Sequence, residues 1–276
     1  MGGIIWLASY PKSGNTWLRA FLHNLLRDPD QPAEINKLDQ FCVGDSQAKW
    51  FSHVANGRKP MDMSPEEVAP LRPLVHQAFT SAHPDSVFAK THNIMAEAYG
   101  VPLVTMEYTV GAIYIVRNPL DMVLSLADHF GQSLDGAIAM LADPQAGTPS
   151  NINNAFEFYG TWSQHVAAWT AVESDALIRL RYEDMGADPR QTFRKVANFL
   201  GLDPPSARLD KAIQFSSFEV LRAQEDKSGF RERSSHSEHF FRSGKSGQWH
   251  GVLSKAQVDA VVSAHHEQME RFGYLP

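Results

Sequence analysis

The sequence predicts an α/β fold, a three-layer sandwich with a central parallel sheet, in which residues 1–276 form a single domain. A strand pattern followed by a polar turn and a helix pattern occurs twice, first from residue 4 and again from residue 112. Alternating strands and helices are typical of βαβ units, whose strands run parallel. With 276 residues, of which 43% are hydrophobic and 20% are charged, the chain is long enough to bury one full core.

The elements follow in order along the chain. The apolar run at residues 4–9 predicts a buried strand, and apolar residues then recur at helical intervals from Asn15 to Arg27. Ser46 marks one expected helix start, and Ser64 followed by Pro65 marks another, since serine caps helices and proline suits the first helical position. Further on, the patterns predict strands at 86–90, 112–116 and 177–180, helices at 120–130, 158–172 and 189–200, and a long loop at 227–251.

Charge and composition exclude several function classes. The formal net charge is −6, so we expect no general attraction for nucleic acid or for an anionic membrane. No apolar run approaches the ~20 residues that a membrane-spanning helix needs, and we expect no leader because no basic region precedes Ile4. Cys42 is the single cysteine, which suits a reducing compartment. We therefore expect a cytoplasmic protein.

The first polar turn has the composition of a phosphate-binding loop. It comprises Tyr10 to Trp17 and places a lysine, two hydroxyl side chains and a glycine between a strand and a helix. Backbone N–H groups at such a helix start bind anions. The turn differs from a Walker A loop because the order is Lys-Ser-Gly and the leading glycine is absent. The literal Gly-Lys-Ser at Gly244 follows no predicted strand and is not interpreted as a triphosphate site.

These residues resemble the sulfotransferases that use 3′-phosphoadenosine 5′-phosphosulfate (PAPS). Their 5′-phosphosulfate loop reads Tyr-Pro-Lys-Ser-Gly-Thr-Thr-Trp, and this chain differs from it at Asn15 alone. The turn from Arg117 to Ser125 resembles the family's 3′-phosphate motif, and Lys90-Thr91-His92 is similar to its Lys-Thr-His. The resemblance runs from Ile4 to about residue 255 and implies a P-loop-like sulfotransferase fold.

The resemblance also implies which residues act. The catalytic residues would be His92 as the base, Lys12 at the leaving bisphosphate and Lys90 at the transferring group. The cofactor would be bound by Lys12, Ser13, Gly14, Asn15, Thr16, Trp17, Arg117, Ser125, Tyr182, Ser216, Phe218, Leu221, Arg242, Ser243 and Gly244. Trp17 and Phe218 would stack on adenine. The family's C-terminal Arg-Lys-Gly-x-x-Gly-Asp-Trp loop is changed here, since Ser243 and Gln248 replace its lysine and aspartate.

The chemistry of sulfuryl transfer explains why these residue types are expected at the site. Sulfuryl transfer is an in-line displacement that depends on positioning and charge stabilisation, as phosphoryl transfer does. A histidine near its ordinary pKa of ~6.5 can take a proton at neutral pH, and the planar fork of Arg117 suits a phosphate dianion. PAPS is the expected cofactor and the bisphosphate PAP its product, with no metal required.

Two other function classes stay open on the sequence alone. A P-loop kinase of a small metabolite would use Lys12 on a nucleoside triphosphate with Mg²⁺, and a non-catalytic nucleotide-binding protein would share the fold. As partner we expect a small-molecule acceptor with a hydroxyl or an amine. Its wall is predicted from segments 41–59, 94–108 and 130–158, whose aromatic members favour an aromatic or apolar acceptor; they are Phe41, Trp50, Phe51, Phe130 and Phe156. The oligomeric state is left open.

Overall fold

The computed structural model describes residues 2–83 and 85–276. In that part of the chain the strands are β1 (Ile4–Ser9), β2 (Cys42–Gly44), β3 (Val87–Thr91), β4 (Glu97–Ala98), β5 (Val101–Pro102), β6 (Thr109–Val116), β7 (Gly147–Thr148), β8 (Glu157–Phe158) and β9 (Leu177–Arg181). The α-helices are α1 (Asn15–Arg27), α2 (Ala48–Val54), α3 (Pro65–Val68), α4 (Leu71–Ala82), α5 (Pro119–Phe130), α6 (Leu134–Ala142), α7 (Trp162–Thr170), α8 (Tyr182–Ala187), α9 (Pro189–Phe199), α10 (Ser206–Phe215), α11 (Phe218–Ser228) and α12 (Lys255–Arg271). Short 3₁₀ helices occupy Ile35–Gln40, Pro60–Asp62 and Met106–Tyr108.

Five of the strands form one parallel sheet in the order β2-β3-β1-β6-β9. In the register of the central strands, Ala8 of β1 lies between Thr91 of β3 and Tyr114 of β6. The carboxyl ends of these three strands therefore meet at one edge of the sheet. The turns after residues 9, 91 and 116 leave that edge side by side, which is where open α/β sheets bind their ligands.

Side chains of the central strands alternate between two cores. On β6, Tyr114 and Val116 pack in one core, whereas Ile113 and Ile115 pack in the other. Helices α4, α5, α7 and α12 contribute to the first core, and α1, α9 and α10 contribute to the second. Because a strand directs successive side chains to opposite faces, both faces of the sheet are covered. The predicted three-layer α/β sandwich with a central parallel sheet is confirmed.

Several predicted bounds agree with the structure and others need correction. Strand β1 and helix α1 match their predicted ranges, Ser64 forms the expected capping box of α3, and residues 229–254 between α11 and α12 form the expected long loop. The predicted helix at 158–172 begins only at Trp162, because Thr161 and Gln164 form a capping box there and Phe158 pairs in the β7–β8 hairpin. The helix expected near Ser46 begins at Ala48.

Candidate active site

A cavity of about 780 Å³ opens at the carboxyl edge of the sheet. Its wall is built by the turns that follow β1, β3 and β6, by α11 and the loop after it, and by two segments at residues 44–49 and 148–159. Most of the predicted site residues line it: Lys12, Gly14, Asn15, Thr16, Trp17, Lys90, His92, Arg117, Ser125, Tyr182, Phe218, Leu221, Arg242, Ser243 and Gly244. Ser13 and Ser216 do not line it.

The turn after β1 presents backbone N–H groups at the start of α1. Gly14 is the N-cap residue, and no side chain in the described part of the chain caps this helix end. Gly14 has φ +100°, and a Cβ there would lie 2.7 Å from Cδ2 of Tyr182, so only glycine fits. The amide of Asn15 instead holds the turn to the sheet by donating to the Leu7 carbonyl at 2.8 Å. The hydroxyl of Ser13 is buried 3.6 Å from Sδ of Met122. The uncapped amides are thus left for an anion.

Lys12 is the cation of this turn. Its backbone has φ +65°, and its ammonium lies 3.7 Å from the ring centre of Phe240, a cation–π contact. Burial, together with the nearby charge of Arg117, lowers the pKa of Lys12 to about 8. The ammonium group is therefore poorly solvated, which strengthens its interaction with any anion that enters the cavity.

The turn after β6 presents the second cation. Nη1 of Arg117 donates to the Lys12 carbonyl at 2.7 Å and lies 3.4 Å from Oγ of Ser125. The guanidinium lies 4.3 Å from the ring centre of Tyr182, and its Nε is buried with no hydrogen-bond partner in the described part of the chain. Asn118 caps α5. The two predicted anion turns are in direct contact, although 105 residues separate Arg117 from Lys12.

His92 is held in one tautomer. Its Nδ1 lies 2.8 Å from the Ser9 carbonyl, and a carbonyl can only accept, so Nδ1 carries the proton. Nε2 consequently bears the free lone pair, and no hydrogen bond to it is formed within residues 2–83 and 85–276. Burial and the neighbouring charge of Lys90 hold the pKa of His92 well below its usual range. The imidazole is neutral at pH 7 and can accept a proton at Nε2.

Glu232 is a site residue that the sequence did not indicate. Its carboxylate accepts from Nη2 of Arg19 at 2.8 Å and from Nζ of Lys90 at 3.4 Å. Burial alone would raise the pKa of Glu232, but Arg19 and Lys90 hold it far below its usual range. Glu232 belongs to the predicted long loop, yet no local pattern shows that this loop returns to Lys90, 142 residues away.

A buried polar network supports the turn that contains His92. The carboxylate of Asp45 accepts four hydrogen bonds, from Arg72 at 3.2 Å, His76 at 2.8 Å, Thr91 at 2.8 Å and Asn93 at 2.7 Å. Thr91 and Asn93 flank His92 on both sides. All five side chains of the network are buried, so the network fixes the backbone on either side of the histidine.

The predicted adenine-binding residues are arranged beside α1 and α11. Trp17 and Phe218 both pack against the same small hydrophobic cluster. Gly244 has φ +67°, and a Cβ there would lie 2.4 Å from Cδ2 of Phe218, so this glycine permits the loop to lie on the ring. Ser216 faces away from the cavity because its buried hydroxyl donates to the Ala212 carbonyl at 2.8 Å. This geometry does not support the expected contact between Ser216 and the cofactor.

The altered C-terminal loop is nevertheless fixed in place. The carboxylate of Asp121 on α5 accepts from the backbone N–H of Gly247 at 2.7 Å and of Trp249 at 3.1 Å. Glu225 on α11 likewise accepts from the N–H groups of Phe240 at 2.6 Å and Phe241 at 2.9 Å. The exposed Arg242 donates to Gln248 Oε1 at 2.7 Å, so the residue that replaces the family's aspartate holds this arginine.

The expected aromatic acceptor wall is wrong for four of its five side chains. Only Phe130 lines the cavity among the described residues of that set. Phe41 stacks on Phe88, Trp50 packs edge-on against Phe79, Phe156 packs against Tyr99, and Phe51 is fully buried. Segment 94–108 contributes nothing to the wall. Aromatic content along a segment does not determine which side chains a fold directs inward.

One protein family matches nearly the whole length of this chain. A family model described as the sulfotransferase domain matches residues 4–273. The chain belongs to the sulfotransferase family. This sulfotransferase is similar to Sulfotransferase 2A6 of Rattus norvegicus, with 26% identity over 271 residues that cover 96% of this chain and 84% of the relative. It is also similar to Sulfotransferase 2A2 of Mus musculus, with 28% identity over 284 residues and the same coverage of 96% and 84%.

Solved structures share the fold. Mouse sulfotransferase SULT7A1, complexed with PAP, superposes with a TM-score of 0.63 at 19% identity and covers 97% of this chain and 84% of its own. Retinol dehydratase, in complex with androsterone and PAP, superposes with a TM-score of 0.67 at 17% identity, with coverage of 97% and 80%. The family match and the relatives named as sulfotransferases confirm the enzyme interpretation, so the kinase and non-catalytic alternatives are wrong.

The described part of this sulfotransferase contains neither a membrane-spanning helix nor a metal-binding cluster of side chains. None of its helices in residues 2–83 and 85–276 is both long and apolar enough to cross a membrane. No group of three or more histidine, cysteine, aspartate or glutamate side chains in that part of the chain is arranged to hold a metal ion. Cys42 is buried, and burial raises the pKa of its thiol to about 12.

Proposed function

We propose that this sulfotransferase, acting as one domain, transfers the sulfuryl group of PAPS to a hydroxyl or an amine of a small-molecule acceptor. One observation carries the proposal: a neutral histidine with a free Nε2 lines the same cavity as two cationic turns. Retinol dehydratase and SULT7A1 have been solved with PAP, which agrees with a bisphosphate product here. The cytoplasmic location expected from the single cysteine stays a prediction.

The residues present fit such a ligand. The uncapped amides of α1, the cation of Lys12 and the groove that a Cβ at Gly14 would fill are suited to the 5′-phosphosulfate. Nε of Arg117, which has no partner within residues 2–83 and 85–276, is suited with the nearby Ser125 to the 3′-phosphate. When bound, PAPS supplies an activated sulfuryl group with a bisphosphate as its leaving group. The remaining proposed contacts are residues of the cavity wall: Asn15, Thr16, Trp17, Tyr182, Phe218, Leu221, Arg242, Ser243 and Gly244. Ser13 lies in the same turn as Lys12, but its buried hydroxyl does not line the cavity.

Each proposed catalytic residue has one task. His92 accepts the proton of the acceptor at Nε2 as the acceptor oxygen or nitrogen attacks sulfur. Lys12 and the α1 amides stabilise the negative charge that develops on the leaving oxygen, since fixed charges in a poorly solvated site act strongly on a transition state. Lys90, beside His92 on the cavity wall, stabilises the oxygens of the transferring group once Glu232 no longer pairs with its ammonium. The proposal assigns no task to a metal.

Calorimetry tests the proposal without knowledge of the acceptor. The purified protein is titrated with PAP in the presence of EDTA, and separately with ATP and Mg²⁺. We expect metal-independent binding of PAP and a much weaker response to ATP. In Arg117→Ala, the affinity for PAP should fall by more than that for adenosine 5′-phosphosulfate, which lacks the 3′-phosphate. A preference for ATP with Mg²⁺, or an equal loss for both ligands, would contradict the proposal.

A further inference from the structure

The part of the cavity that adjoins His92 is built from residues 44–49 and 148–159, here named the acceptor wall. Gly44 pairs with Lys90 in the sheet, and the carboxylate of Asp45 accepts hydrogen bonds from Thr91 and Asn93. Asn93 also accepts from the backbone N–H of Phe158. Both segments are therefore joined to the strand end that carries His92. An acceptor whose reactive atom lies at His92 must lie against this wall.

The acceptor wall is polar. Its aliphatic members on the cavity, in the described part of the chain, are Ala48 and Ile152. The others are Gly44, Asp45, Ser46, Gln47, Lys49, Thr148, Asn151, Asn153, Asn154, Glu157 and Tyr159. Tyr159 is the one aromatic ring among these described residues of the wall. Three phenylalanine rings of the cavity lie beside Lys12 instead, where Phe240 covers the ammonium and packs on Phe230 and Phe241.

Two polar atoms of this wall are buried and unpaired. Ser46 is 4% exposed, and its Oγ has no hydrogen-bond partner in the described part of the chain. The neighbouring Gln47 is half-buried, and its Oε1 is likewise enclosed without a hydrogen-bond partner in that part of the chain. Buried polar groups in proteins are nearly always hydrogen-bonded. A hydroxyl that can both donate and accept, followed by a carbonyl oxygen that only accepts, indicates a ligand with several hydroxyl groups.

The charges of the wall balance. Asp45 is neutralised within the fold by Arg72. One basic residue, Lys49, and one acidic residue, Glu157, then remain on the wall, and Glu157 already accepts from the Tyr159 hydroxyl at 2.9 Å. A charged acceptor would meet no excess of opposite charge. A steroid or a simple phenol has one reactive hydroxyl, which would leave Ser46 and Gln47 unpaired.

We propose that the acceptor of this sulfotransferase is a neutral polyhydroxylated small molecule, a sugar or cyclitol, whose non-reacting hydroxyls bond Ser46 Oγ and Gln47 Oε1. This inference rests on the proposed function, because His92 defines where the reacting hydroxyl lies. It replaces the aromatic or apolar acceptor that the sequence favoured. Ser46 and Gln47 act as specificity-determining residues in this arrangement.

The experiment compares two sets of acceptors under saturating PAPS. Methyl β-D-glucoside, trehalose and myo-inositol represent neutral polyols, and p-nitrophenol, 2-naphthol and dehydroepiandrosterone represent phenols and steroids. We expect a higher kcat/KM for the best polyol than for any member of the second set. In Ser46→Ala and Gln47→Met, the KM for that polyol should rise about fivefold, the effect of one neutral hydrogen bond, while kcat stays within about twofold.

A control variant, the Tm and PAP binding together distinguish a loss of acceptor binding from a folding defect and from failure of the proposed function. Ser52→Ala, on α2 and outside the cavity wall, should keep the KM of the wild type. Ser46→Ala should keep the wild-type Tm, because Oγ bonds no group in the described part of the chain and so loses no hydrogen bond. A phenol or steroid as the best acceptor, an unchanged KM in both variants, or no sulfation of any probe would overturn the polyol inference. If PAP binds in those cases, the proposed function survives; if PAP does not bind, the proposed function fails instead.

Discussion

Asp45→Asn removes the negative charge of the side chain that supports the His92 turn, and it leaves the size of that side chain nearly unchanged. The carboxylate of Asp45 is fully buried and accepts hydrogen bonds from Arg72, His76, Thr91 and Asn93. Burial alone would raise the pKa of Asp45, but Arg72 and His76 hold it far below its usual range. The carboxylate is therefore the counter-ion of a buried guanidinium, and an amide in its place leaves that cation unpaired.

The expected loss of stability follows from this geometry. Removal of one partner of a buried ion pair costs about 3–5 kcal/mol, because the other charge stays buried without compensation. For a chain of this size about 1 kcal/mol corresponds to roughly 2 °C in Tm, so we expect a fall of roughly 6–10 °C. The exposed Asp175, for which the structure gives no side-chain partner in its described part, supplies the matched control Asp175→Asn, with an expected change within about 0.5 kcal/mol.

Thermal melts followed by circular dichroism at pH 7 measure this effect. The double variant Asp45→Asn with Arg72→Met should be less destabilised than the sum of the two single variants, because it removes the uncompensated charge. Since the folded pKa of Asp45 is depressed, its contribution to stability is fully present above the unfolded pKa of ~3.9 and is lost progressively as pH falls from there through the folded pKa. The gap between wild type and Asp45→Asn should therefore narrow below about pH 4. A loss below about 1 kcal/mol at pH 7 would refute the role given to this ion pair.

Three further predictions concern the site itself. Because burial lowers the pKa of His92, the acid limb of the pH profile of kcat/KM should lie below pH ~6.5. His92→Ala should lower turnover by about 10²–10⁴, while calorimetry gives an unchanged PAP affinity. A parallel loss of PAP affinity would contradict a role as base. Lys12 has a pKa of about 8, and a bound anion favours its charged form, so the PAP affinity should fall about tenfold from pH 7 to pH 9. Lys12→Arg should remove this pH dependence. A PAP affinity of the wild type that does not change with pH would contradict the role given to the Lys12 charge. Gly14→Ala meets Tyr182 at 2.7 Å and a φ of +100°, so the PAP affinity should fall about tenfold, as strain of 1–3 kcal/mol implies. Gly186→Ala, with open space around its Cβ, should bind PAP as the wild type does, and equal behaviour of both variants would contradict the close fit at Gly14.

Local patterns accounted for the parts of the fold that position the phosphates. Strand β1, helix α1 and the turn between them were predicted with the observed bounds, because periodicity and turn chemistry act within a few residues. The start of α7 was predicted too early because the capping box at Thr161 competes with an uninterrupted helical pattern. The short strand β2 was missed, since three residues carry no readable period.

Contacts between residues far apart in the chain determined the remaining features of the site. Arg19 meets Glu232 across 213 residues. Asp45 bonds Arg72 of α4 and also Thr91 and Asn93 at the end of β3. No spacing rule connects such residues, because their contact depends on how the loop after α11 and the segment after β2 return to the sheet edge. The same reason explains why the aromatic residues of segment 41–59 pack away from the cavity.

By itself, the sequence determined the α/β class, the two strand-turn-helix anion turns and the order of the residues that resemble the sulfotransferase family. Those features are local, so the chemistry of a few consecutive residues specifies them. The tertiary structure alone decided the tautomer of His92, the pairing of Lys90 with Glu232 and the polar character of the acceptor wall. These depend on distances between side chains from separate elements, which exist only once the sheet has brought its strand ends together.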